Sequence, residues 1–295
     1  MQKLKFKKIS LKDWEKVGEG GNAESFFHKK DKTRVLKLAK TGKLAVDKIF
    51  EEADVSKVAI SLGIKTPKVL GYVTCDDRYG IIYERLVGKK SFGKLCHDNP
   101  DKIEEYAKIY ARELAKLHKI KRGKKEVRSK KKQLMDKAKL ITNKKHRDIV
   151  LTYLKELKDV DTIIHGDASL GNLLQVGKKL YWIDLGTMMY GDPIVDIGIA
   201  FLSYTYFIKV KFIQNLFHVT KKQAFEFYQS FIKEYAKVTK KTEKEVDLGA
   251  KKVAVAYLYL LGYTDIPLFL GKILIRIIFG IKANLLIKEI KKLDK

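Results

Sequence analysis

The feature that most constrains this fold is a change of hydrophobic period close to Gly88. Before it, short apolar runs alternate with tight turns. The run 11–17 leads into Gly18-Glu19-Gly20-Gly21, the run 25–28 follows, and Asp31-Lys32 turns the chain into 34–38. This is a three-strand antiparallel pattern. The segment 44–62 then carries Val46, Ile49, Phe50, Ala53 and Val58 at helical spacing, with Gly63 at its stop and Pro67 just beyond. Segments 68–74 and 80–86 read as a hairpin turned by Asp76-Asp77. After Gly88 the period becomes helical: 103–117, 133–141, 146–157 and nearly everything from Pro193 onward. Two short strands, 162–164 and 180–183, bracket a loop at 165–172. The expected fold class is α+β, with residues 1–87 as a small antiparallel-sheet part and 88–295 as a larger, mostly helical part.

The chain has 295 residues, long for a single core, and no Pro- or Ser/Gly-rich linker separates its halves. Cys75 and Cys96 lack metal-ligand spacing, and two isolated thiols suit a reducing compartment, so a cytoplasmic location is expected. The basic start lacks the apolar core of a signal peptide. The most apolar stretch, 266–286, is interrupted by Lys272, Arg276 and Lys282 and reads as a buried C-terminal helix, with a membrane-surface helix as the alternative, and not as a membrane span. Net charge is +27, with Lys and Arg at 62 against 35 acids. Such a field attracts polyanions and repels polycations. Lysine dominates it, so biased composition and selection for a ligand both remain as explanations. The run Lys119 to Lys132 is a solvated basic face or a contact for nucleic acid or an acidic membrane surface.

One stretch carries chemistry. An apolar strand ends in His165-Gly166-Asp167, Asn172 follows five residues after that aspartate, and a second strand ends in Asp184-Leu185-Gly186. Phosphoryl transfer uses these residue types. Hard Mg2+ takes carboxylate and amide oxygens, which Asp184 and Asn172 offer, and a separate carboxylate, Asp167, suits a base for an attacking hydroxyl. His165 reads as a residue that positions the loop.

These residues resemble the aminoglycoside phosphotransferase-like (APH) kinase family, over about residues 14 to 205. In that family His-Gly-Asp-x-x-x-x-Asn stands where protein kinases have His-Arg-Asp-x-x-x-x-Asn. The resemblance implies a two-lobed, protein-kinase-like fold and an enzyme using ATP, with GTP as the alternative, and Mg2+. It implies a phosphate-covering loop at Gly18, Gly20 and Gly21, although Ala23 takes the third glycine position. Lys37 matches the third-strand lysine that contacts the α- and β-phosphates, and Glu52, not Glu51, its partner by spacing to Gly63. Adenine is expected on the Glu84 carbonyl and the Leu86 N–H. Asp167 is the implied catalytic base, Asn172 and Asp184 the metal ligands, and Asp196 a support for the catalytic-loop backbone.

The acceptor has no signature. A chain of +27 suits a polycationic aminoglycoside poorly, so a small hydroxylated metabolite is expected. The alternatives are a protein kinase acting on a macromolecular hydroxyl and a non-catalytic, polyanion-binding pseudokinase.

Overall fold

The computed structural model describes residues 5–123, 125, 127–264 and 269–293. The chain divides into two compact units. The first comprises 1–91 and 172–187, the second 92–171 and 188–295. Sequence pattern puts the boundary near Gly88; tertiary pairing also takes 172–187 into the first unit.

Strand β1 (Phe6–Lys8) opens the first unit, followed by β2 (Trp14–Glu19), β3 (Ala23–His28), β4 (Arg34–Ala39), helix α1 (Lys43–Ser61), β5 (Val69–Cys75), β6 (Arg78–Glu84) and the short β7 (Lys90–Ser91). Six strands form one sheet in the order β1-β5-β6-β4-β3-β2. All pairs are antiparallel except β1 with β5. Side chains alternate across this sheet. Leu36 and Leu38 join Trp14, Phe26, Val73, Cys75 and Ile82 on one face. Ala39, Ile81 and Tyr83 join Ile49 and Ala53 of α1 on the other, with Val35 packed alongside. Period two then sends Lys37 to the α1 face. Gly80 is required sterically, because a Cβ there would lie 2.9 Å from Leu36 and 3.1 Å from both Leu38 and Val73.

In the second unit come α2 (Phe92–Asp98), α3 (Ile103–Leu117), α4 (Lys130–Ala138), α5 (Lys144–Glu156) and the two-residue strand β8 (Ile163–Ile164). The chain then contributes the hairpin β9 (Leu173–Val176) and β10 (Lys179–Trp182) to the first unit, where β9 also pairs with β7. Trp182 N–H donates to the Lys65 carbonyl at 2.9 Å, tying the hairpin to the residues after α1. Back in the second unit, β11 (Met189–Tyr190) pairs with β8. Then follow α6 (Ile194–Phe201), a π-helical turn (Leu202–Tyr206), α7 (Lys211–Phe217), α8 (Lys221–Thr239), α9 (Glu243–Thr264) and α10 (Phe269–Leu293). Helix α3 packs on α8, and α9 packs on α5, α6 and α10.

Two expectations change. The C-terminal helix is buried on one side only: Ala283, Leu286 and Ile290 face the core while Ile277, Ile281 and Leu285 are exposed. Residues 265–268 lie outside the described residues. The basic run 119–132 is not one solvated face. Lys121 donates to the Thr162 hydroxyl, Arg122 to Asp161, and Lys131 to the carbonyls of Lys155 and Leu157, while Lys130 is buried. Lys124 and Glu126 lie outside the described residues. Among the described residues no helix is long and apolar enough to cross a membrane.

Candidate active site

The first unit holds a cleft whose lining includes Phe27, Val35, Lys37, Glu52, Tyr83, Glu84, Arg85, Leu86, Leu174, Ile183 and Asp184. Residues expected from sequence to serve one site thus meet in one place: Lys37, Glu52, Glu84, Leu86 and Asp184. Each arrives by simple geometry. Lys37 points to the α1 face for the reason given above. On α1, Ala45, Ile49, Glu52 and Ser56 follow at spacings of four, three and four, one inward stripe. Glu52 therefore lies on the stripe, and the Lys37 ammonium donates to its carboxylate. Glu51, a turn of about 100° away, is exposed. Burial pushes the Glu52 carboxyl above its ordinary pKa, the Asp184 charge adds to the rise, and Lys37 pulls against both. Ser56 hydroxyl donates to the Glu52 carbonyl at 2.8 Å, bracing that turn of the helix.

Asp184 has φ +56°, a left-handed conformation that is uncommon for a non-glycine residue and is often found at functional turns. Its carboxylate is exposed, while the next residue, Leu185, is buried. Gly186 lies against α1, where a Cβ would touch Glu52 at 3.5 Å. Asn172 is buried, and its carbonyl accepts from Ile183 N–H at 2.9 Å. Residues 172 and 183, at the ends of the β9–β10 hairpin, are joined by that bond. The cleft edge at 84–86 is anchored by Glu84 N–H to the Lys68 carbonyl (2.9 Å) and Arg85 N–H to the Thr33 carbonyl (2.7 Å). Among the described residues, Leu86 N–H meets no backbone acceptor.

Gly18, Gly20 and Gly21 do not line this cleft. They sit in and after β2, with Gly20 N–H donating to the Ala23 carbonyl at 2.8 Å. None has positive φ, and a Cβ at Gly18 or Gly21 would touch nothing. The fold itself does not demand glycine at those two positions.

The second unit carries Asp167, half-buried in the loop after β8. Its N–H donates to His165 Nδ1 at 3.3 Å. The loop is held from beneath by Asp196, which is fully buried at the start of α6. Asp196 accepts from His165 N–H at 2.8 Å and Gly166 N–H at 2.7 Å, as sequence reasoning expected. Sequence reasoning missed His118, whose Nε2 lies 3.0 Å from Asp196 and whose Nδ1 lies 2.7 Å from the Tyr235 hydroxyl. Burial raises the Asp196 pKa, but the hydrogen bond and charge of His118, with His165 and its N–H, outweigh it and hold the carboxyl below its ordinary value. Lys130, also missed, is buried near Asp196 and Asp167 with its ammonium 5.9 Å from the Tyr257 ring. No sequence signal separates it from the lysines beside it.

Residues able to hold a metal are few. Among the described residues no group of three His, Cys, Asp or Glu forms a cage. Mg2+ in nucleotide sites ordinarily takes one or two protein oxygens and completes its shell with water and phosphate. An exposed Asp184 carboxylate and the Asn172 amide suit that donor set.

Comparisons with known proteins bear on the fold and the family. The chain resembles a choline/ethanolamine kinase family protein from Mesorhizobium loti, at 14% identity, covering 95% of this chain and 90% of that one, with a TM-score of 0.53. It resembles an amicoumacin kinase solved with AMP-PNP and Ca2+, at 12% identity, 92% and 87% coverage and a TM-score of 0.56. An aminoglycoside phosphotransferase from Streptomyces rimosus gives 17%, 82% and 92%, and 0.52. At these identities the likeness establishes the protein-kinase-like α+β fold. No curated protein sequence matches the chain. The model of the phosphotransferase enzyme family (APH) matches residues 13–229, and with that span this chain belongs to the family, as an enzyme that moves a phosphoryl group to a hydroxyl acceptor.

Proposed function

We propose that the protein transfers the γ-phosphoryl group of ATP to the hydroxyl of a small metabolite, with Asp167 as the base. The observation that carries this reading is the cleft of the first unit, where the Lys37–Glu52 pair and Asp184 share one wall with the polar edge at 84–86. Lys37, oriented by Glu52, holds the α- and β-phosphates. The Glu84 carbonyl and the Leu86 N–H, which meets no backbone acceptor among the described residues, bind adenine. The backbone at Gly18, Gly20 and Gly21 covers the phosphates; at Gly18 and Gly21, where the fold does not demand glycine, the missing side chain leaves room for that approach. Asp184 and Asn172 would hold Mg2+, whose charge neutralises the phosphate oxygens and orients them. Asp167 accepts the hydroxyl proton, and Asp196 fixes its loop through the N–H groups of His165 and Gly166.

The acceptor is small and not polycationic in this reading. Net charge +27 disfavours approach of an aminoglycoside. The test is ADP release with Mg2+ and ATP across a panel of sugars, amino alcohols and nucleosides. Asp167→Asn should lower acceptor-dependent turnover by about 10²–10⁴-fold while its thermal unfolding stays at the wild-type temperature. Equal turnover in both proteins would remove Asp167 from the base role.

A further inference from the structure

We infer that the second unit carries a docking face for an anionic lipid bilayer, built on α10 and the 206–212 stretch beside it. Ile277, Ile281, Leu285, Lys288 and Lys292 follow one another at spacings of four, four, three and four residues, so they share one side of α10. All are exposed. Ile278 and Lys291 flank the stripe and are exposed too. The opposite side, through Ala283, Leu286 and Ile290, is buried. The exposed side therefore begins aliphatic and ends cationic along a run of about 20 Å.

The neighbouring segment repeats the chemistry. The Phe207 ring lies 6.0 Å from that of Phe279, and Lys282 Nζ lies 5.8 Å from the Tyr206 ring, so the stretch after the π-helical turn runs beside α10. That stretch exposes Val210 and Phe212, the latter to 70%, alternating with the exposed Lys209 and Lys211. Apolar side chains at this exposure, interleaved with lysines, are unlike an ordinary solvated surface.

Charge selects the occupant. A second copy of this chain would bring another +27 onto a face already lined with lysine, and like charge opposes that pairing. Nucleic acid would satisfy the lysines but leave the aliphatic stripe in water. A bilayer with anionic headgroups accepts both: the aliphatics enter the headgroup–acyl boundary and the lysines meet the lipid phosphates. The helix lies in the interface plane and does not span it, consistent with its charged end.

The test uses the full chain and extruded vesicles of phosphatidylcholine, with and without about 30 mol% phosphatidylserine. Wild type should sediment with the anionic vesicles only, and less so as salt rises from about 0.1 to about 0.5 M. The I281N/L285N variant keeps the net charge and should partition about tenfold more weakly or worse, with unchanged ATP turnover. In an I281W variant, tryptophan emission should shift to the blue on adding anionic vesicles. Wild type that ignores anionic vesicles, or I281N/L285N that binds as wild type does, would overturn the proposal. So would an I281W emission that stays at its aqueous position, or a wild-type dimer in light scattering that I281N/L285N dissolves.

Discussion

Replacing Asp196 by asparagine keeps the shape of the side chain and removes the charge that gathers three donors. The carboxylate has no exposure and accepts His165 N–H and His118 Nε2 on one oxygen and Gly166 N–H on the other. An amide oxygen in the first position can still accept two neutral hydrogen bonds, each roughly half as strong as with a carboxylate. The NH2 group then faces Gly166 N–H, so one hydrogen bond becomes a contact of two donors. Charge-assisted bonds contribute about 1.5–3 kcal/mol each and a stranded buried donor costs about 1–3 kcal/mol. Easier burial of the neutral amide offsets part of that, leaving about 3 kcal/mol of destabilisation. For a unit of this size that lowers the unfolding temperature by roughly 6–12 °C. Hydrogen exchange should quicken at Gly166 first, because its N–H loses its acceptor. The pH dependence has a definite sign. Asp196 is held below its ordinary pKa, so its contribution is complete above about pH 5 and is lost as pH falls through the folded value. The gap between wild type and Asp196→Asn should stay constant from neutral pH down to about 5 and close below that. An unchanged unfolding temperature with unchanged Gly166 protection would refute this account of how the loop is held, and so would a gap that widens in acid.

Two other buried charges behave differently. Glu52 is raised above its ordinary pKa, mainly by burial, so the wild type loses stability relative to Glu52→Gln as pH rises through that titration. Glu52→Gln should gain on wild type in thermal unfolding from about pH 4.5 upward while weakening ATP binding about tenfold in calorimetry. Stability differences that do not vary with pH would show that Glu52 keeps its ordinary pKa. Lys130 is drawn down to about 8 by burial, against the attraction of Asp196 and Asp167. Below that pH the folded state carries the full cost of a buried ammonium, about 3 kcal/mol. Lys130→Met should therefore be more stable at pH 7 in urea unfolding, and the advantage should shrink as pH rises past about 8 and vanish only above about 10.5. A Lys130→Met variant less stable than wild type at pH 7 would mean that the ammonium makes a compensating contact.

Sequence alone determined what depends on local pattern and short spacing. Alternating apolar residues specified β2, β3, β4 and the β5–β6 hairpin, because side-chain period and turn chemistry are local properties. Spacing to Gly63 selected Glu52 over its neighbour, and helix periodicity makes that choice physical: only one of two adjacent residues lies on the inward stripe that meets Lys37. The family resemblance, and not local pattern, implied Asp196 as a support for the loop after β8. Tertiary structure decided what depends on distant segments meeting. The parallel strand β1 and the return of 172–187 to the first unit rest on backbone pairing with partners far along the chain, which leaves no local signature. His118, just past α3, and Tyr235 of α8 carry no signal until packing of α3 on α8 joins them, with His118 on the Asp196 carboxylate. Lys130 is one lysine among many until the fold removes water from it, and the C-terminal helix, apolar nearly all round in sequence, acquires an exposed side only because α9 covers the other. Burial is a property of neighbours, and neighbours separated by a hundred residues are assigned by the fold.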